Sequence, residues 1–371
     1  NSVMDCLKLI VAFLKFGAAW PGEISTKPWI NTLYDIYKIG YRILYVAMGS
    51  GVLLYCIFAY ETLEDLIENI SVLTTQFSIS ARFYVLVVYK NEILSLIKNV
   101  DRNFYVPGEK EKRIVESTVK LSNRVGSGIF ILYVVTTIAM VLYPMTSKDR
   151  ILPFKSWYPY VNLSESPYYE LEYAGQASLI IVIGWFAGAM DAFCMSLLLY
   201  CGLQYKLVAR GLMKSQNITE LRICIQYHQA AIEYVNETCN ALNPIFIVQV
   251  LLENVLICLL GFQATTMDSH GVKIVRVILH LSCCIFQIGF MCFFGQHITT
   301  ESAAVYEAAY ESPWYQQSPK FRRMIWMVVE RARKPAALSG GLFGDISLPL
   351  FYAVMRSSYS YITMLSQFQE D

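Results

Sequence analysis

Residues able to do chemistry are few in this chain of 371 residues, and they fall in two places. One is His280 with Cys283 and Cys284, a grouping of metal-ligating types. On a helix His280 and Cys284 share a face, but structural zinc takes four ligands and no third is apparent. No Gly-rich phosphate loop, GxSxG elbow or HExxH helix occurs. Four histidines (His228, His270, His280, His297) leave little general-base capacity. The expectation is therefore a protein that is not an enzyme and that takes no metal and no cofactor. The other place is Ser357-Ser358-Tyr359-Ser360-Tyr361, a hydroxyl-rich run inside an apolar helix near the end of the chain. A membrane helix at the very end of the sequence is expected to do the work itself, so it reads as a pore wall. Because the sequence stops almost at once, no downstream signalling tail is expected.

The surrounding composition makes lipid the solvent. Hydrophobic residues form 55% and charged residues only 16%, where a soluble chain carries about a quarter charged. A net charge of +1 argues against nucleic acid or an acidic substrate as partner. Of the ten cysteines, Cys56, Cys194, Cys201, Cys258, Cys283, Cys284 and Cys292 lie in apolar stretches, where a thiol acts as a small hydrophobe, and no disulfide is predicted. The stretch Leu9 to Ala19 is interrupted by Lys15 and continues through Trp20-Pro21-Gly22. It reads as a short helix at the membrane edge rather than a cleaved signal peptide. The first residue is not Met, so residues are expected to precede the numbering.

A bilayer core of about 30 Å needs roughly 20 apolar residues at 1.5 Å each. Seven stretches qualify: 38–60, 66–89, 126–145, 174–203, 244–265, 273–298 and 343–367. Thr74, Thr75 and Gln76 dilute the second, and Arg276 and His280 the sixth, which makes these two the better candidates for lining a cavity. With the N-terminus cytoplasmic, inner segments and helix ends hold 24 of the 30 basic residues, nine of them from Arg82 to Arg124. The positive-inside rule selects that orientation, with the C-terminus extracellular. Glu61, Glu64, Asp65 and Glu68 then form an acidic face at an outer helix start. The sequon at Asn162 falls in the longest outer loop, 146–172, as the glycosylation candidate.

Helical periodicity continues on the cytoplasmic side around 91–124, 204–243 and 296–334. Phe321, Ile325, Val328 and Val329 make an apolar stripe flanked by Arg322, Arg323 and Arg331. Such a helix lies on the inner leaflet or joins a subunit-contact bundle. The bundle is preferred, because three extensions together can bury one another's apolar faces. The fold class is an all-α membrane protein of seven transmembrane helices with cytoplasmic extensions.

Four motifs carry a family likeness. They are Lys15-Phe16-Gly17 with Trp20-Pro21, Tyr306 with Pro313-Trp314-Tyr315, Arg331-Ala332-Arg333-Lys334-Pro335, and the Ser357-to-Tyr361 run. With them the chain resembles the insect odorant receptors, over its whole length in topology and most specifically beyond residue 301. The resemblance implies an odour-tuning subunit of a ligand-gated, non-selective cation channel that forms a heterotetramer with a co-receptor subunit. Its expected partners are a small volatile odorant, that co-receptor, membrane lipid and permeant cations, in the plasma membrane of sensory dendrites. It also implies a division of the chain. Residues 1–300 would form a six-helix ligand-binding domain, and 301–371 the anchor helix with the pore-lining seventh helix.

The family's hydrophobic gate falls by motif on Met364 and Phe368, with Gln367 between them and Ser360 one turn earlier; the alternative is that both face lipid or a neighbouring helix. Arg356 falls near the same stripe and either faces the pore or turns to meet a carboxylate or carbonyls, the expected arrangement. The resemblance also implies an odorant pocket in the outer half of the membrane, walled by spans two to six. Shared helical faces nominate Leu73, Thr74 and Phe77 on the second span, Tyr133, Thr137 and Met140 on the third, and Ile181 and Trp185 on the fourth. His280 is the polar candidate on the sixth. Ordinary packing, or for His280 an interhelical hydrogen bond, would explain the same residues. Two rival functions stand beside this one. A gustatory-type homotetrameric channel would need no co-receptor, and a secondary transporter would show an internal repeat that this sequence lacks.

Overall fold

The computed structural model describes residues 25–99, 108–146, 150–266 and 271–370, together with Ala12 and Lys15. The rest of the membrane-edge segment, including Phe16, Gly17, Trp20 and Pro21, lies outside the described residues. Nine α-helices make up most of what is described: α1 Pro28–Phe58, α2 Leu63–Val88, α3 Lys90–Asn99, α4 Glu109–Leu142, α5 Tyr168–Lys214, α6 Ile218–Thr266, α7 Val272–Glu311, α8 Pro319–Ala332 and α9 Leu348–Glu370. Among those residues there is no strand, only an isolated bridge between Ser339 and Asp345.

Local sequence sets several helix starts. Pro28 and Pro319 open α1 and α8, where a missing N–H costs nothing. Thr62 caps α2 by accepting from the Asp65 amide at 3.2 Å, with Glu64 and Asp65 placed at the positive end of the helix dipole. The last helix begins at Leu348, five residues later than its apolar stretch suggested. Gly341 (φ +63°) and Gly344 (φ +78°) hold left-handed backbone there, and Ile346 N–H donates back to the Leu338 carbonyl at 2.7 Å. The chain must finish this turn before it can wind.

Among the described residues six helices (α1, α2, α4, α5, α6 and α7) are long and apolar enough to cross a membrane. The seventh, α9, has 23 residues, enough length at about 1.5 Å each, but Arg356 and the hydroxyl run dilute it. With 47 and 49 residues, α5 and α6 reach roughly 70 Å, more than twice the apolar core of a bilayer. Their far halves form, with α3, α8 and the ends of α4 and α7, the extra-membrane bundle anticipated from periodicity. The division at 300/301 falls inside α7, one uninterrupted helix.

α5 is the axis of the subunit, packed mainly on α4 and α7 and buried without a break from Phe186 to Tyr205. Small residues permit the close approach: a Cβ at Gly184 would overlap the Thr137 side chain, and one at Gly202 would meet the His297 ring. In the far bundle α8 turns Phe321, Ile325 and Val328 into the core against α6 and α7, leaving Trp326 and Met327 exposed. The apolar stripe is thus buried within its own chain rather than on a leaflet.

His228 lies in that bundle, beyond the apolar stretch 244–265 of α6, buried and edge-on to the Tyr205 ring at 6.3 Å. Burial, helped by the Arg331 charge, lowers its pKa from 6.5 to about 4. The unfolded chain therefore takes up this proton first as pH falls. Stability present above pH 6.5 should be lost between pH 6.5 and about 4, to a limit of roughly 3 kcal/mol. Thermal unfolding of purified protein at pH 7 and pH 4.5 should show a larger drop for wild type than for His228→Gln.

Candidate ligand cavity and terminal helix

A cavity of about 130 Å³ opens between α2, α4, α5, α6 and α7 toward the expected outer end of the bundle. Its wall is mostly apolar, with Val72, Ile79, Leu179, Ile180, Ile183, Leu260 and Val277 prominent. Thr75, Gln76, Gln263 and His280 supply isolated polar groups, the pattern of a small-molecule site. The Gln263 Nε2 is buried and has no hydrogen-bond partner among the described residues.

Fixed polar bonds hold the roof. Gln176 pins the loop after α4 by accepting from Phe154 N–H at 2.9 Å and donating to its carbonyl at 3.1 Å. Glu172 accepts from Ser156 Oγ at 2.8 Å and from Gln176 Nε2 at 2.9 Å. The acidic face of α2 is neutralised across the mouth: Lys273 meets Glu64 at 2.7 Å, Lys155 meets Asp65 at 2.6 Å, and Arg276 pairs with Glu68. Arg276 also donates to the Pro153 carbonyl at 3.3 Å and lies over the Tyr143 ring.

Tyr133, Thr137, Met140 and His280 line the cavity, and Leu73, Thr74, Phe77, Ile181 and Trp185 do not. On α2 the cavity takes the adjacent face, Val72, Thr75, Gln76 and Ile79, while Phe77 points out and is 64% exposed. On α5 it takes Ile180, Ile183, Gly184 and Ala187, while Trp185 packs edge-on against Phe130. Both helices are apolar on several faces, and lipid rewards a Phe or Ile as well as a protein core does. Periodicity therefore could not choose between neighbouring faces.

Below the cavity lies a charge network. Arg82, 2% exposed, is buried in the bundle rather than at a cytoplasmic helix end as its sequence position suggested. Its Nη1 meets Asp191 at 3.2 Å, and its Nη2 meets Glu253 at 2.8 Å and Ser78 Oγ at 3.1 Å. Tyr133 OH and Gln287 Nε2 donate to the other Asp191 oxygen at 2.6 and 2.7 Å. Sequence reading passed over Asp191 and Glu253, although a carboxylate in mid-span is itself a signal of a built site.

On the far side of Glu253, Asn254 accepts from Ser358 Oγ of α9 at 2.9 Å. α9 buries Val354 and Ser358 against its own subunit and leaves Tyr352, Arg356, Ser360, Met364 and Gln367 exposed along one stripe. Arg356 makes no ion pair among the described residues, so the expected inward carboxylate or carbonyl contact is replaced by an outward guanidinium. The Phe368 side chain lies outside the described residues. Asn162 is exposed in the outer loop, where its Nδ2 donates to Glu165 at 2.8 Å. Expression of Asn162→Gln should remove one glycan's worth of gel mobility shift if that loop is luminal during synthesis.

Together the long apolar helices and a roofed, largely apolar cavity between them define a multi-pass membrane receptor for small molecules. A sequence profile described as 7tm Odorant receptor matches residues 62–359, and the chain belongs to that family. It is 22% identical to odorant receptor 13a of Drosophila melanogaster over 95% of this chain and 93% of that one. Against the odorant receptor coreceptor of Anopheles gambiae it is 28% identical, over 42% of this chain and 34% of that protein. The fold matches the olfactory receptor OR5 of Machilis hrabei, solved in complex with eugenol, with a TM-score of 0.89, 16% identity and coverage of 98% and 97%.

Proposed function

We propose that this chain is an odour-tuning subunit of a ligand-gated, non-selective cation channel in the plasma membrane of sensory dendrites. It assembles there as a heterotetramer with a co-receptor subunit. The observation that carries this reading is α9, which packs one face on its own subunit and leaves the stripe from Tyr352 to Gln367 uncovered. A pore made where several such stripes meet gives that face its purpose, and a ring of Met364 closes such a pore by dewetting. The cavity supplies the ligand site. The bound volatile opens the channel by preferring the state in which the terminal helices splay, since a ligand shifts an equilibrium only by its difference in affinity.

The exposed Arg356 favours the heteromer over the gustatory-type homotetramer. Four guanidinium groups around one axis oppose cation flow, whereas co-receptor subunits dilute the ring. Whole-cell current during exposure to a panel of volatiles, with the chain alone and with the co-receptor, tests the assignment. Cation current only on co-expression is the expected result; current from the chain alone would overturn the heteromer.

A further inference from the structure

Beneath the cavity lies a second chamber of about 40 Å³, room for a water molecule or a hydroxyl group. The two share Thr75, Ile79, Tyr133, Ala187, His280 and Cys283 as walls, so the chamber adjoins the cavity floor. Its own floor is the charge network, with both Arg82 and Glu253 among the lining residues.

Most polar groups around the chamber are already committed. Thr75 Oγ1 donates to the Ser71 carbonyl, Ser78 Oγ accepts from Arg82, and Tyr133 and Gln287 donate to Asp191. Besides the His280 ring, which stands in the wall shared with the upper cavity, two fully buried atoms are left over. Glu253 Oε2 and Arg82 Nε are both buried and both lack a hydrogen-bond partner among the described residues. Their residues are 3% and 2% exposed, so bulk water does not serve them. The Cys284 thiol bonds to the Glu253 carboxylate, but a thiol is a weak donor and leaves the charge largely unmet. One orphan accepts and the other donates. Both are charged, and leaving such groups unmet is costly.

A hydroxyl answers both, since its O–H donates while its lone pairs accept. A carbonyl offers no proton, a protonated amine offers no lone pair, and a hydrocarbon offers neither. We infer that the chamber is a head-group subsite and that the preferred ligand is a small alcohol or phenol. Its apolar body fills the upper cavity, and its hydroxyl reaches between Glu253 and Arg82. The upper volume, about 130 Å³, suits a body of roughly one aromatic ring. This inference rests on the odorant-receptor reading above and adds the ligand class to it.

The test uses four volatiles of one skeleton, benzyl alcohol, benzaldehyde, benzylamine and toluene, on cells carrying the full chain with its co-receptor. Half-maximal concentrations of current should be at least about tenfold lower for benzyl alcohol than for the other three. In Glu253→Gln, which keeps the shape and removes the charge, the ratio of half-maximal concentrations between toluene and benzyl alcohol on the same cells should fall to about threefold or less. Cys284→Leu, which narrows the chamber while leaving Arg82, Asp191 and Glu253 all in place, should do the same and covers the case in which Glu253→Gln fails to reach the surface.

Equal potency of the four volatiles on wild type would overturn the subsite and leave the receptor reading standing. Benzaldehyde above benzyl alcohol would place a donating group at the site, through a protonated Glu253 or through Gln263, and would also overturn it. Benzylamine above benzyl alcohol would replace the hydroxyl with a cation. Silence of surface-expressed wild type to these four and to the wider panel would overturn the receptor reading and the subsite with it.

Discussion

Replacing Arg82 with leucine should nearly eliminate the receptor from the cell surface. The substitution leaves Asp191 and Glu253 buried in one site with no cation between them, and both are under 5% exposed. Removing one member of a buried ion network costs about 3–5 kcal/mol, because the remaining charge keeps its desolvation penalty and loses its compensation. A typical margin is only about 5–15 kcal/mol, so most of the protein should be retained and degraded. Arg82→Lys should be intermediate, since one ammonium cannot present two separate N–H groups to two carboxylates as a guanidinium does. The triple change Arg82→Met, Asp191→Asn, Glu253→Gln should recover surface protein by discharging all three positions. Surface biotinylation against total protein reads the series. An Arg82→Leu receptor at wild-type surface density would remove the network from any account of stability.

That network also marks the limit of what the sequence discloses. The Arg82 partners are 109 and 171 residues away, and no local pattern joins them. By position Arg82 belonged with the cytoplasmic lysines and arginines, yet packing brings α2, α5 and α6 together around it. What was legible depended on solvent contrast. Apolar length located the spans, and basic residues suggested the orientation. The polar spots on spans two and six pointed to the cavity, where Thr75, Gln76, Arg276 and His280 stand and Thr74 does not. What was illegible depended on helix rotation. Leu73 and Phe77 differ from Val72 and Gln76 by one residue step, about 100° around α2, and no water-facing side exists there to fix the choice. α5 shows the same difficulty in its strongest form, because from Phe186 to Tyr205 it has no exposed face at all.

The rotation found in the structure puts Val72 in the cavity wall and leaves the nominated Trp185 out of it. Val72 lines the cavity and is only half-buried, so Val72→Phe adds a ring to the open volume without overpacking the axis of the subunit. Filling a space of about 130 Å³ in this way should raise the half-maximal ligand concentration at least tenfold, or abolish the response. Surface density, basal current and reversal potential should stay at wild-type values. Met364→Ser should give the opposite phenotype. It exchanges an exposed apolar side chain on the α9 stripe for a hydroxyl and so weakens the dewetted constriction. Basal current without ligand should rise several-fold. The change in half-maximal concentration should stay within the few-fold shift that a displaced closed–open equilibrium imposes. Current–voltage relations and concentration–response curves on the same cells separate the two. If Val72→Phe changed ion permeability, or Met364→Ser altered neither basal current nor conductance, cavity and pore could not be the separate devices proposed. The polar thread from Tyr133 through Asp191 and Arg82 to Glu253, with Asn254 beside it bonded to Ser358, would then be the place to look for how they are joined.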